Sequence, residues 1–195
     1  MARISRDLDK KLLIVGQTLI QEVGVSSLSM RKVAKIAGVN LGMLNYYFDG
    51  KEDFVFKVLN EIYAPFIVDL QALIDQDDLN LEHFFYRLSQ FSAKNKKLVV
   101  LIVKDLISND PMVKKFVTVH FSKHVLMISK LIESKINDKN KAEYVTRLII
   151  SIIGMPNLML GVKENIVQKE LENSESEDDV IYRVKMAMEI MRKYS

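Results

Sequence analysis

Ser29-Met30-Arg31-Lys32-Val33-Ala34-Lys35-Ile36-Ala37-Gly38-Val39-Asn40-Leu41-Gly42-Met43-Leu44-Asn45-Tyr46-Tyr47-Phe48 is the stretch that decides the fold. Ser29 is a good helix N-cap, and Val33, Ala34 and Ala37 form the apolar face of a two-turn helix. The small Ala34 lets a second helix cross closely. Gly38 suits the left-handed conformation that ends a helix, and Val39 fills the angle. Asn40 then caps a second short helix that carries Leu44 and Phe48. A short helix, a glycine turn and another short helix make a helix-turn-helix, whose second helix enters the major groove of DNA. Ala-x-x-x-Gly-Val alone would also fit an ordinary corner between two helices.

Outward from this stretch the pattern stays helical. Leu8, Leu12, Val15, Leu19 and Val23 mark a first helix ending at Gly24. Asp49-Gly50-Lys51-Glu52 reads as a capping box opening a long helix to about Asp75, with Pro65 as a kink. Asn80 caps a helix with Leu81, Phe84, Phe85, Leu88 and Phe91, and Lys96 to about Ser108 forms another. Asp110-Pro111 starts a helix to about Ile136. Asn137 or Asp138 starts the next, which Gly154 and Pro156 are expected to break or bend. An acidic linker, Glu172 to Asp179, caps the last helix, about 179–193. No strand signal and no fixed repeat occurs. The expectation is an all-α chain, three short helices followed by about six longer ones.

Composition narrows the function. Nearly half of the 195 residues are apolar, enough for a sizeable core, and there is no cysteine for disulfides or thiolate metal sites. The longest unbroken apolar run, Leu98 to Val103, is too short for a membrane span, and the charged N-terminus is unlike a signal peptide. A cytoplasmic location is expected. Residues 1–60 hold nine Lys/Arg against six Asp/Glu, whereas 61–195 hold nineteen of each, so the positive excess lies with the helix-turn-helix. His120 and His124 share a helix face but make an incomplete metal site. No phosphate loop, nucleophile elbow or carboxylate pair is present; neither catalysis nor a cofactor is expected.

Gly24-Val25, Ser29-Met30-Arg31 and Tyr46-Tyr47-Phe48-Asp49-Gly50-Lys51-Glu52-Asp53-Phe54 complete a pattern that resembles the DNA-binding domain of the TetR (tetracycline repressor) family. The match runs ungapped over residues 8–54. It implies a helix-turn-helix DNA-binding domain at 1–52 and a helical ligand-binding and dimerisation domain at 53–195. It implies a dimeric repressor of operator DNA, released by a small, apolar or amphipathic effector. Ser29 and Arg31 would touch phosphates. Asn40, Leu41, Gly42, Met43, Asn45 and Tyr46 would face DNA, and Tyr47 and Lys51 would grip phosphates. Leu41 and Asn45 depart from the family's usual residues. With Met43 they suit thymine methyls and adenine, an A·T-leaning target.

Away from the motif, Ile149, Ile152 and Ile153 with Val184, Met188 and Met191 are candidates for a dimeric four-helix interface. Tyr63, Phe66, Phe91, Phe121, His124, Met127, Met155 and Asn157 are candidates for an effector pocket, although core packing accounts for most of them equally well. A DNA-binding protein without effector, in an architectural or division-linked role, is the alternative reading.

Overall fold

The computed structural model describes the backbone of residues 2–76, 78–167 and 176–195, and within these the side chains of all but 2–7, 121, 155 and 157–167. Described residues form helices α1 (Ala2–Val23), α2 (Met30–Ala37), α3 (Leu41–Tyr47), α4 (Gly50–Ile74), α5 (Leu81–Lys94), α6 (Lys96–Ile107), α7 (Pro111–Phe116), α8 (Ser122–Glu133), α9 (Lys139–Val167) and α10 (Glu177–Tyr194), with no strand among them. None is long and apolar enough to cross a membrane.

The chain packs as two compact units, Met1–Phe66 with Leu101–Val117, and Ile67–Val100 with Thr118–Ser195. The first unit thus takes in more than the DNA-binding segment expected at 1–52. In it Leu12, Leu19, Ile20, Leu44, Phe54, Val58 and Leu59 are buried; spacings of seven and eight residues align those of α1, and a spacing of four aligns Phe54 with Val58 on α4. Gly16 makes the close approach of α1 to α4 possible: a Cβ there would fall 2.6 Å from Phe54 Cζ and from Val58 Cγ2. In the second unit α10 packs on α5 and α9, α5 on α9, and α8 on α9. Phe84, Phe85, Ile128, Ile132, Val145, Ile149 and Ala187 fill that core.

Local capping explains the boundaries. Asn80 accepts from His83 N–H at 3.0 Å, Asp110 from Val113 N–H at 3.0 Å and Asp138 from Lys141 N–H at 3.0 Å. Ser176 and Asp179 form a reciprocal capping box on α10; the linker before it, through residue 175, lies outside the described residues.

Three expectations are corrected. The capping box at Asp49 does not form: Asp49 N–H donates to the Asp53 carboxylate at 3.0 Å, and Glu52 pairs with Lys115. Asp53 sits one residue further on than the motif allows, and Gly50, with φ +82°, redirects the chain between them. The helix from Pro111 is not uniformly α. A π-helical turn, Val117–Phe121, intervenes, the Ser122 hydroxyl donates to Thr118 O, and the helix ends at Glu133. Finally, α9 runs unbroken past Gly154 and Pro156. Arg183 of α10 donates from Nη1 to Ile153 O at 3.1 Å, supplying a donor to the turn where proline disturbs the ladder.

Candidate nucleic-acid interface

Ser29 caps α2 from an extended conformation, its hydroxyl facing Lys32 N–H at 3.4 Å. Val33, Ala34 and Ala37 bury the inner face of α2. Gly38 ends the helix at φ +74°, where an L side chain is strained, with Val39 N–H donating to Ala34 O at 3.0 Å. Asn40 Oδ1 then accepts from Met43 N–H at 2.7 Å and starts α3. Two side chains fix the pitch of α3. Leu44 is fully buried, and Phe48, 3% exposed, meets the Phe54 ring edge-to-face at 4.8 Å.

Most of the rest of α3 points outward. Leu41, Gly42, Met43, Asn45 and Tyr46 are exposed, Tyr46 by 84%. A seven-residue helix that offers leucine, methionine and tyrosine to solvent presents a contact surface. Ser29, Arg31, Lys32 and Lys35 are exposed beside it on α2, giving cations around an apolar centre. Tyr47 is half-buried and stands edge-on to Tyr46, ring centres 5.4 Å apart. Two expected contact residues have internal work. The Asn40 side-chain oxygen is the cap of α3, and Lys51 is half-buried, donating from Nζ to Ser26 O at 2.9 Å.

Sequence reasoning missed Asp105. It lies on α6, is 2% exposed, and accepts from Val25 N–H at 2.9 Å, Ser26 N–H at 3.1 Å and Ser26 Oγ at 2.7 Å. The available signal was its being the one acidic residue between Lys96 and Ile107. Lys115 of α7 pairs with Glu52 and lies 5.5 Å from the Phe56 ring centre.

The expected effector residues fall in both units. Tyr63 and Phe66 belong to the first unit, in an aromatic cluster with Phe116; the ring centres of Phe66 and Phe116 lie 5.9 and 6.1 Å from that of Tyr63. Phe91, His124 and Met127 belong to the second, and the side chains of Phe121, Met155 and Asn157 lie outside the described residues. Burial pushes the His124 imidazole down to about 4, so it is neutral at pH 7. A cavity of about 260 Å³ in the second unit is lined instead by Asn80, Glu82, His83, Tyr86, Ile181 and Val184. Among the described residues no three His, Cys, Asp or Glu side chains gather as a metal site.

The residues expected at the dimer face divide by burial. Ile149, Ile153, Val184 and Met191 are buried within a single chain, and Ile152 and Met188 half-buried. Side chains already covered add no burial on association. The outer faces carry Tyr144, Leu148 and Ile152 on α9 and Tyr182, Met186 and Ile190 on α10, each set at four-residue spacing.

Residues 12–58, which include α2, α3 and the exposed face of α3, match the family model of bacterial regulatory proteins, tetR family. Over this segment the chain is similar to the DNA-binding domain of the TetR family. The probable HTH-type transcriptional regulator YttP of Bacillus subtilis is 19% identical over 167 residues, 83% of this chain and 76% of YttP. An HTH-type transcriptional regulator of Staphylococcus aureus is 29% identical over 90 residues, 44% of this chain but only 48% of that relative's length. In fold, a regulator from Aquifex aeolicus superposes with a TM-score of 0.69 at 15% identity, covering 94% of this chain and 99% of its own. The fatty acid degradation regulator FadR of Bacillus halodurans gives 0.68 at 16%, covering 94% of each. The relatives and the solved structures that the chain resembles are all named as transcriptional regulators.

Proposed function

We propose that this chain is a cytoplasmic repressor of the TetR type that binds operator DNA as a homodimer and is released by a small apolar or amphipathic effector. The carrying observation is the outward face of α3, where Leu41, Met43, Asn45 and Tyr46 are exposed while Leu44 and Phe48 anchor the helix. Residues 1–52 serve DNA binding, with Ser29, Arg31 and Tyr47 at phosphates and α3 at base edges. Asn40 and Lys51 contribute mainly by holding this surface in shape. Residues 53–195 serve dimerisation and effector binding. Dimerisation uses the outer stripes of α9 and α10, since their inner faces are occupied. The cavity of the second unit, lined by Asn80, Glu82, His83, Tyr86, Ile181 and Val184, mixes polar with apolar groups, as a site for an amphipathic ligand requires.

Selection of binding sites from random duplexes tests this reading. Recovery of a two-fold symmetric, A·T-leaning site is expected, with half-sites about one helical turn apart. Recovery of no enriched sequence would refute it.

A further inference from the structure

Ser26 lies between α1 and α2 and is held from two directions. Its N–H and hydroxyl donate to Asp105 of α6, and its carbonyl accepts from Lys51 of α4. Val25 N–H adds a third donor to the same carboxylate. The preceding residue, Gly24, has φ +84°, and a Cβ there would stand 3.0 Å from Asp105 Oδ2. The turn and the carboxylate are therefore in close contact, with no side chain between them. Met30, where α2 begins, is four residues on, and α3 comes after the Gly38 turn. The direction in which the α2–α3 pair leaves α1 is consequently set at Val25 and Ser26.

A buried carboxylate is a poor device for stability alone. Its desolvation offsets much of what its hydrogen bonds return, and an apolar side chain often does as well. Three donors converging on one group instead fix orientation, because only one arrangement satisfies them all. α6 is the element that carries this group, and Lys115 of α7 makes a second link, to Glu52 in the first turn of α4.

We propose that Asp105 is a positioning residue for DNA recognition: by clamping Val25 and Ser26 it sets the angle at which α2 and α3 are presented to the duplex. The proposal rests on the DNA-binding function proposed for this chain. Asp105 itself touches no DNA.

The test uses the full chain, its Asp105→Asn and Ser26→Ala variants, a duplex recovered by wild-type selection, and a scrambled duplex of equal length. Asp105→Asn keeps the shape of the side chain but removes its charge. It should speed amide exchange at Val25 and Ser26 and lower affinity for the selected duplex by about 10- to 100-fold. The ratio of selected to scrambled affinity should fall, with the salt slope unchanged because the phosphate contacts remain. Ser26→Ala, which removes one of three contacts, should give a smaller loss of the same kind, and it serves as the readout if Asp105→Asn does not fold. Faster exchange with an unchanged affinity ratio would overturn the proposal, as would equal losses on both duplexes. A wild type that binds no duplex would instead overturn the DNA-binding function itself, and the proposal with it.

Discussion

Arg183 donates from Nη1 to the backbone oxygen of Ile153 at 3.1 Å, three residues before Pro156 in the neighbouring helix. The guanidinium-bearing residue is only 5% exposed, so the bond forms out of water. Replacement by methionine fills similar space but leaves that oxygen without its arginine donor. Arg183→Met should cost about 1–3 kcal/mol of stability, read as a lower midpoint in urea at an unchanged slope.

His124 predicts an acid-sensitive second unit. Its folded value of about 4 lies below the ordinary 6.5, so the unfolded chain binds the extra proton between these limits. Stability from neutral His124 is fully present above pH 6.5 and is lost as pH falls towards 4, on the order of 3 kcal/mol in all. His124→Gln should flatten this part of the stability–pH curve, measured by denaturation at intervals of pH.

Arg31 and Asn45 separate affinity from specificity. Arg31→Ala should weaken binding to all duplexes and reduce the salt slope by about one unit. Asn45→Ala should relax one position per half-site by about 1–3 kcal/mol, leaving the slope intact. Parallel salt titrations and site selections distinguish the two.

Inner and outer faces of α9 and α10 should respond differently to charge. Tyr182→Glu, on the outer face, should give a folded monomer, whereas Met191→Glu, 2% exposed, should lose helicity. Sedimentation with circular dichroism decides; a folded dimer in Tyr182→Glu would place the interface elsewhere.

The helix-turn-helix was legible in the sequence because its determinants are local. Ser29, Gly38 and Asn40 act on backbone within three or four residues, and Leu44 and Phe48 declare their burial by spacing alone. Asp105 was not legible, since its partners lie about eighty residues away and an acidic residue near a helix end ordinarily suggests solvent. Ile149, Ile152 and Ile153 marked α9 as strongly apolar, but periodicity does not say which side faces its own chain. α5, α8 and α10 all pack on α9, where Ile149 and Ile153 are buried and Leu148 and Ile152 half-buried. Of the break or bend expected at Gly154 and Pro156, the break does not occur, and the Arg183 donor beside that turn comes from another helix, which local sequence does not reveal.

The π-helical turn at Val117–Phe121 has a bearing on chain length. Such a turn winds in one residue more than an α-helical turn does, and so absorbs an insertion without rotating the helix beyond it. A homologue one residue shorter at Val119, which is 44% exposed, would wind as plain α-helix, with Val113 and Phe116 upstream and His124 and Ile128 downstream keeping their faces. The same deletion within α9 would swing its apolar stripe by about 100°. This segment is therefore a natural site of indels, and an alignment that forces a gap into a neighbouring loop instead would misplace His124 by one position.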